Sequence, residues 1–200
     1  MRKADARSIR TKEAIRTALE EMIVEGRREN ITVTALAERA GIHRKTFYLH
    51  YDSIETLLDA FAMSVIEDII REYRNNANEG GDSKRIGGQS LRIDFKEMNA
   101  AFFRTVSANP PLHKRLFCDP DYRFLHDRIN SLGTGLFSKM IESDSPHSAE
   151  MNIVLSIMSS GILAAWDAWY RIGAVSEERL SEIIETTMGD AADLFVSLQG

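Results

Sequence analysis

Apolar side chains at Ile9, Ala14, Ile15, Ala18, Leu19, Met22 and Ile23 return every three or four positions, the spacing that lays one greasy stripe along a helix. The stripe predicts a first helix over 6–25, with Gly26 as its stop. Thr32 then offers a hydroxyl to cap a short helix over 33–40, and Gly41 follows where a left-handed backbone is cheap. A third short helix covers 43–51. The run Asp52-Ser53-Ile54-Glu55 restarts the chain with a carboxylate placed to close a capping box. Leu57, Leu58, Phe61, Val65, Ile69 and Ile70 carry a fourth helix over 53–76, long enough to serve as a strut.

The segment 75–90 breaks the pattern with four glycines and few apolar anchors, and reads as a weakly ordered loop. Helical spacing resumes over 91–108, 110–117, 121–142, 146–172 and 176–198, with Asn109-Pro110 and Ser145-Pro146 as cap-then-proline starts. The expectation is an all-α chain of about nine helices. A three-helix head with a helix-turn-helix, residues 1–52, precedes a larger helical body for ligand binding and dimerisation, residues 53–200.

Charge sharpens that division. The chain of 200 residues carries a net charge of −5, which by itself argues against a nucleic-acid partner. Residues 1–51, however, hold 11 Lys and Arg against 7 Asp and Glu, whereas residues 52–200 hold 14 against 23. A basic head sits on an acidic body. Cys118 is the single cysteine, so an intrachain disulfide or a cysteine-based zinc site lacks its partners; a lone thiol of this kind is a small core side chain or a redox sensor. The longest apolar run, 151–166, stops at Asp167 and contains three serines, and the charged first residues lead directly into an amphipathic helix. These features predict no membrane span and a cytoplasmic location.

Leu36, Ala37, Ala40, Ile42 and Phe47 supply the packing skeleton of two short helices joined by a glycine turn. His43, Arg44, Lys45, Thr46 and Tyr48 are left facing outward, each with a donor able to reach phosphate oxygens or base edges. The bland alternatives are a solvated face for Arg44 and Lys45 and a core position for Tyr48 or Tyr51. The segment T-V-T-A-L-A-E-R-A-G-I-H-R-K-T-F-Y-L-H-Y-D-S-I-E-T-L-L, residues 32–58, strongly resembles the DNA-binding head of the TetR family of transcriptional regulators.

That resemblance implies a homodimeric repressor that binds a palindromic operator and is released by a small-molecule effector. It implies phosphate contacts from Thr34, Thr46, Tyr48 and His50 and base contacts from Arg44 and Lys45. Thr32, as a cap, aims its helix N-terminus at the backbone. Two positions depart from the family: His43 stands where Ser is frequent, and Ile54 stands where a lysine often meets phosphate. The lost contact then passes to Arg2, Lys3 or Arg7 on an N-terminal arm.

In the body, the helix over 146–172 is apolar on most sides, and small residues from Ser159 to Ala168 permit close helix approach. Paired with 176–198 across a two-fold axis, it makes a four-helix dimer interface. Its ending W-D-A-W-Y-R-I-G-x-x-S, residues 166–176, resembles the dimer-helix ending of one TetR subgroup. The candidate effector residues are Phe102, Phe103, Phe117, Phe137, Met140, Met158, Trp166 and Tyr170, with Tyr122 and Phe124 nearby in type and Asn99, Arg104, His113 and His126 as polar partners. No Glu-x-x-His, His-x-x-x-His, G-x-S-x-G or P-loop occurs, so no catalytic residue, metal or cofactor is expected. The rival readings are a TetR-like DNA binder governed by a protein partner or by nothing, and a helical-bundle enzyme.

Overall fold

Ile15, Ala18, Leu19, Met22 and Ile23 line one face of the first helix and are all buried, so the stripe seen in the sequence is the seam on which the head is built. A computed structural model of the chain describes residues 3–77, 95–140 and 146–198. Among these residues there are nine α-helices and no strand: α1 Lys3–Glu25, α2 Val33–Arg39, α3 Arg44–Tyr48, α4 Ile54–Ala77, α5 Phe95–Ala108, α6 Pro110–Cys118, α7 Arg123–Met140, α8 Ser148–Ile172 and α9 Glu177–Leu198. The expected loop over 75–90 and the first residues of the helix expected from 91 fall largely outside the described residues.

Where boundaries moved, capping chemistry moved them. The third helix starts at Arg44 because the His43 ring acts as its cap. Helix α4 starts at Ile54 because Ser53 Oγ accepts the Thr56 N–H at 3.1 Å; the side chain three residues on is Thr56, whose hydroxyl sits 3.3 Å from Ser53 Oγ, and not a carboxylate. Asp119 accepts the Asp121 N–H at 2.9 Å and winds Pro120–Tyr122 into a 3-10 turn, so α7 begins at Arg123 and not at 121. Asn109 caps α6 from in front of two prolines, as the sequence suggested. Pro146 and His147 form a turn ahead of α8, and Ser145 lies outside the described residues.

The core crosses the head–body boundary. Buried residues of α1, α2, α3 and α4 continue without a break into Leu112, Leu116, Tyr122, Leu125 and Ile129 of α6, its following turn and α7. Polar contacts reinforce the junction. Arg115 Nε donates to the Ile23 carbonyl at 3.0 Å, its terminal nitrogens bond the Gly26 carbonyl and Asp119, and Tyr122 donates to the same Gly26 carbonyl at 3.1 Å. A cation and a phenol from the body thus close the electronegative end of α1. Near the other face, Arg16 of α1 bonds Glu20 at 2.8 Å and Asp68 of α4. The head therefore packs on α6 and α7 of the body, with α6 bonded directly to the end of α1.

The rest of the body has two further cores. Phe102, Phe103, Val106, Phe117, Leu163, Trp166, Leu180 and Ile184 join α5, α6, α8 and α9, and Met151, Val154, Leu155, Met158 and Phe195 join α8 to α9. Helix α8 is long and apolar enough to cross a membrane by length and composition; here its inner side packs into these cores. Its outer side leaves Ile153 and Ile157 about three-fifths exposed.

Candidate nucleic-acid interface

The helix-turn-helix is fixed by a few local rules. Thr32 Oγ1 accepts the Ala35 N–H at 3.2 Å and starts α2. Gly41 stops it at φ +64°: the Gly41 N–H bonds the Glu38 carbonyl at 3.1 Å, and the Ile42 N–H bonds the Ala37 carbonyl at 2.9 Å, the paired pattern of a Schellman turn. A side chain at Gly41 would meet nothing in space, so the backbone conformation is what calls for glycine there. Leu36 and Phe47 are both fully buried and set the two short helices against each other and against α1.

With Phe47 pointing inward, helix geometry of about 100° per residue puts Arg44 and Tyr48 on one outward line and Lys45 beside it. All three are exposed, Tyr48 by half. Neither Arg44 nor Lys45 forms an ion pair among the described residues, whereas Arg39 on α2 is engaged by Glu25 at 2.6 Å and Glu21 at 3.5 Å. The recognition helix therefore presents unneutralised positive charge while its neighbour's is consumed in holding α2 to α1. Tyr48 stands edge-on to Phe47 at 5.5 Å, which braces its ring and leaves the hydroxyl outward.

His43 has a structural duty that the sequence did not reveal. Its Nδ1 accepts the Lys45 N–H at 3.2 Å, doing the work a serine hydroxyl does at a helix start and leaving Nε2–H to point away. Thr32 and Thr34 are exposed at the start of α2, and Thr46 within α3 and His50 just after it are half-buried. Tyr51 packs against the head core, and burial raises its hydroxyl pKa. Ile54 also packs against that core, so the start of α4 offers no cation. Glu55 beside it is exposed, its pKa lowered by its own backbone N–H and by Ser53. Arg2 lies outside the described residues, as do the side chains of the arm up to Asp5; Arg7 is exposed on α1. One exposed residue escaped the sequence reading: Leu49, four-fifths exposed at the end of α3 beside Tyr48. Its signal was a leucine on the polar side of a short helix.

Residues 15–61 match the sequence model of bacterial regulatory proteins of the tetR family. The head is similar in sequence to the heads of that family. The match runs from the buried stripe of α1 to the first turns of α4 and contains the whole interface just described. A search of curated protein sequences finds no match. Several solved structures share the complete fold. The fatty acid degradation regulator FadR from Bacillus halodurans is 12% identical with a TM-score of 0.61, over 91% of this chain and 94% of its own. The TetR family repressor AlkX from Dietzia sp. strain DQ12-45-1b, implicated in biodegradation of n-alkanes, is 15% identical with a TM-score of 0.58, over 92% and 97%. A TetR family transcription regulator from Marinobacter aquaeolei VT8 is 18% identical with a TM-score of 0.57, over 94% and 97%. At these identities the likeness is one of fold. Residues 15–61 thus match a tetR-family regulator sequence, and the described chain as a whole shares the fold of these solved structures.

In the body, several of the aromatic candidates are packed against one another. Trp166 lies 4.6 Å from Phe103, 5.5 Å from Phe102 and 5.8 Å from Tyr170 between ring centroids, and Phe102 lies 6.1 Å from Phe117. Burial raises the Tyr170 hydroxyl to about 12. The side chains of Phe137 and Met140 lie outside the described residues. Met158 sits apart from the aromatic cluster in the α8–α9 core, Tyr122 serves the α1 junction, and Phe124 is stacked by Arg28 at 4.7 Å. His113 is buried over Phe117, its Nδ1 2.9 Å from the Asn109 carbonyl, and burial lowers its pKa. Arg104 pairs with Glu97 and Glu72, and His126 bonds Asp127 at 3.2 Å. Cys118 bonds the Asp167 carbonyl, and burial pushes its thiol up to about 11; a thiol that stays protonated is a poor redox sensor.

Proposed function

We propose that the chain is a homodimeric repressor in the bacterial cytoplasm that binds a palindromic operator and is released by a small-molecule effector. The observation that supports the DNA-binding part is the outward face of α3: exposed Arg44 and Lys45 with no ion pair among the described residues, and exposed Tyr48, mounted on buried Phe47. Phosphate contacts fall to Thr32, Thr34, Thr46, Tyr48 and His50, base contacts to Arg44 and Lys45, and His43 contributes by shaping the helix start.

The dimer forms through α8 and α9. Their outer sides expose Ile153, Ile157, Ile183 and Leu194, an apolar surface of the kind that marks an interface. Two copies about a two-fold axis place two recognition helices on half-sites about 34–36 Å apart. AlkX, on the same fold, is named a repressor, and the sign of regulation is adopted in that sense.

Release follows from the way the head is held. Residues 1–52 and 53–200 divide the labour, yet they share one core and the Arg115 and Tyr122 bonds to α1. An effector that alters α5, α6 or α8, around Phe102, Phe103, Phe117, Trp166 and Tyr170, tilts α4 and α1 and changes the spacing of the two recognition helices. A coupling of about 1–3 kcal/mol between the sites weakens operator binding roughly 5- to 150-fold.

The test of the DNA-binding reading is a salt titration of duplex affinity. Displacement of condensed counterions by the basic head predicts a loss of roughly 10³-fold or more as salt rises from about 50 to about 200 mM. Salt-independent binding, or no binding at low salt, contradicts the reading.

A further inference from the structure

Leu49 is 81% exposed, the largest exposure of any bulky apolar side chain among the described residues, and it belongs to none of the buried cores. A lone surface leucine is ordinary; the place of this one is not. It closes α3 with helical backbone angles, φ −75° and ψ −15°, so the turn of the helix carries through it. At about 100° per residue, Lys45 and Leu49 each lie about 20° from the direction opposite buried Phe47, with Arg44 and Tyr48 further round on one side. Four residues of rise, about 6 Å, separate the two. The major groove is about 12 Å wide, so a helix that brings Lys45 to the base edges brings Leu49 with it.

We propose that Leu49 is a specificity-determining residue, whose isobutyl group seats against the C5-methyl of a thymine in each half-site. The inference rests on the reading of α3 as the recognition helix and adds a base that this helix selects. Leucine carries no donor or acceptor, so it gains nothing from phosphate oxygens or from the polar atoms of the base edges. Among the groups that the four base pairs present in the major groove, the thymine methyl is the apolar one. Contact between the two removes apolar surface of both from water. Lys45, one turn earlier on the same line, reads a neighbouring base by its charge, and Leu49 adds a preference that charge cannot express.

The experiment uses the full-length protein and the duplex recovered by selection from random sequences. Each thymine of a half-site is replaced in turn by deoxyuridine, which removes only the methyl, and affinity is read by fluorescence anisotropy. One position per half-site is expected to cost about three- to fivefold, the effect of one buried methyl, and replacement in both half-sites about tenfold or more. Leu49→Ala is expected to weaken binding to the thymine duplex and to bind thymine and deoxyuridine duplexes equally. Leu49→Met, still apolar and long enough to reach, should keep the discrimination. The salt dependence should match the parent's in both variants, because no charge is removed. Circular dichroism checks that the helices persist, as the exposure of Leu49 leads one to expect.

A consensus without thymine, equal affinity for every deoxyuridine duplex, or a Leu49→Ala protein that still discriminates each overturns the inference. If Leu49→Ala weakens thymine and deoxyuridine duplexes alike in a parent that never told them apart, the side chain lies against the sugar–phosphate backbone and the inference fails. Salt-sensitive binding of the selected duplex without methyl discrimination removes this inference alone. Absence of any duplex binding at low salt removes the DNA-binding reading, and this inference with it.

Discussion

Alanine at both Arg44 and Lys45 is expected to weaken operator binding about 30-fold or more. A good contact from such a side chain to a base edge is worth roughly 1–3 kcal/mol, so the pair loses at least about 2 kcal/mol, and every 1.4 kcal/mol is tenfold. Both side chains are exposed and make no ion pair among the described residues, so nothing in the folded head depends on them. Thermal stability and sedimentation behaviour should stay those of the parent protein. Fluorescence anisotropy with a labelled duplex reads the affinity, and a double variant that binds like the parent would remove α3 from the interface. Phe47 is the contrasting position. It is fully buried beneath the same helix, and its truncation would unfold the head and not report on recognition.

The second large effect concerns the outer face of α8. Ile157→Glu places a carboxylate in the middle of the apolar surface formed with Ile153, Leu194 and Ile183, and a two-fold axis brings the change in twice. The variant is expected to sediment as a single chain with its helices intact, because Ile157 is 58% exposed and outside all three buried cores. Operator affinity should fall about 100-fold or more, since joining two half-site binders raises avidity by 10²–10⁴. A variant that stays dimeric places the interface elsewhere. A single-chain variant that binds the operator undiminished would break the link between dimerisation and recognition.

The head was legible in the sequence because its determinants are local. The stripe from Ile15 to Ile23, the cap at Thr32, the turn at Gly41 and the inward Phe47 each act within one or two turns of chain, and each is where spacing and residue type placed it. What escaped is what depends on distant partners. Arg115 reads as one more cation on an amphipathic helix, and its bonds to Ile23 and Gly26 span 92 and 89 residues. Ile54 reads as a missing phosphate contact and packs, partly buried, against the head core. His43 reads as an outward donor, yet one ring nitrogen faces back to cap its own helix. In the body the aromatic residues were identifiable, but which of them pack together and which flank a cavity depends on how α5, α8 and α9 meet. Asn99, one polar candidate among several, is buried with no hydrogen-bond partner among the described residues, which its sequence context does not reveal.

Selection of bound sequences from a pool of random duplexes puts the central claim to its most direct trial. Two copies of α3, each offering Arg44, Lys45 and Tyr48, should enrich an inverted repeat whose half-sites are centred about one helical turn, or a multiple of it, apart. A pool that emerges without consensus, or with a lone half-site, would contradict recognition by a paired α3.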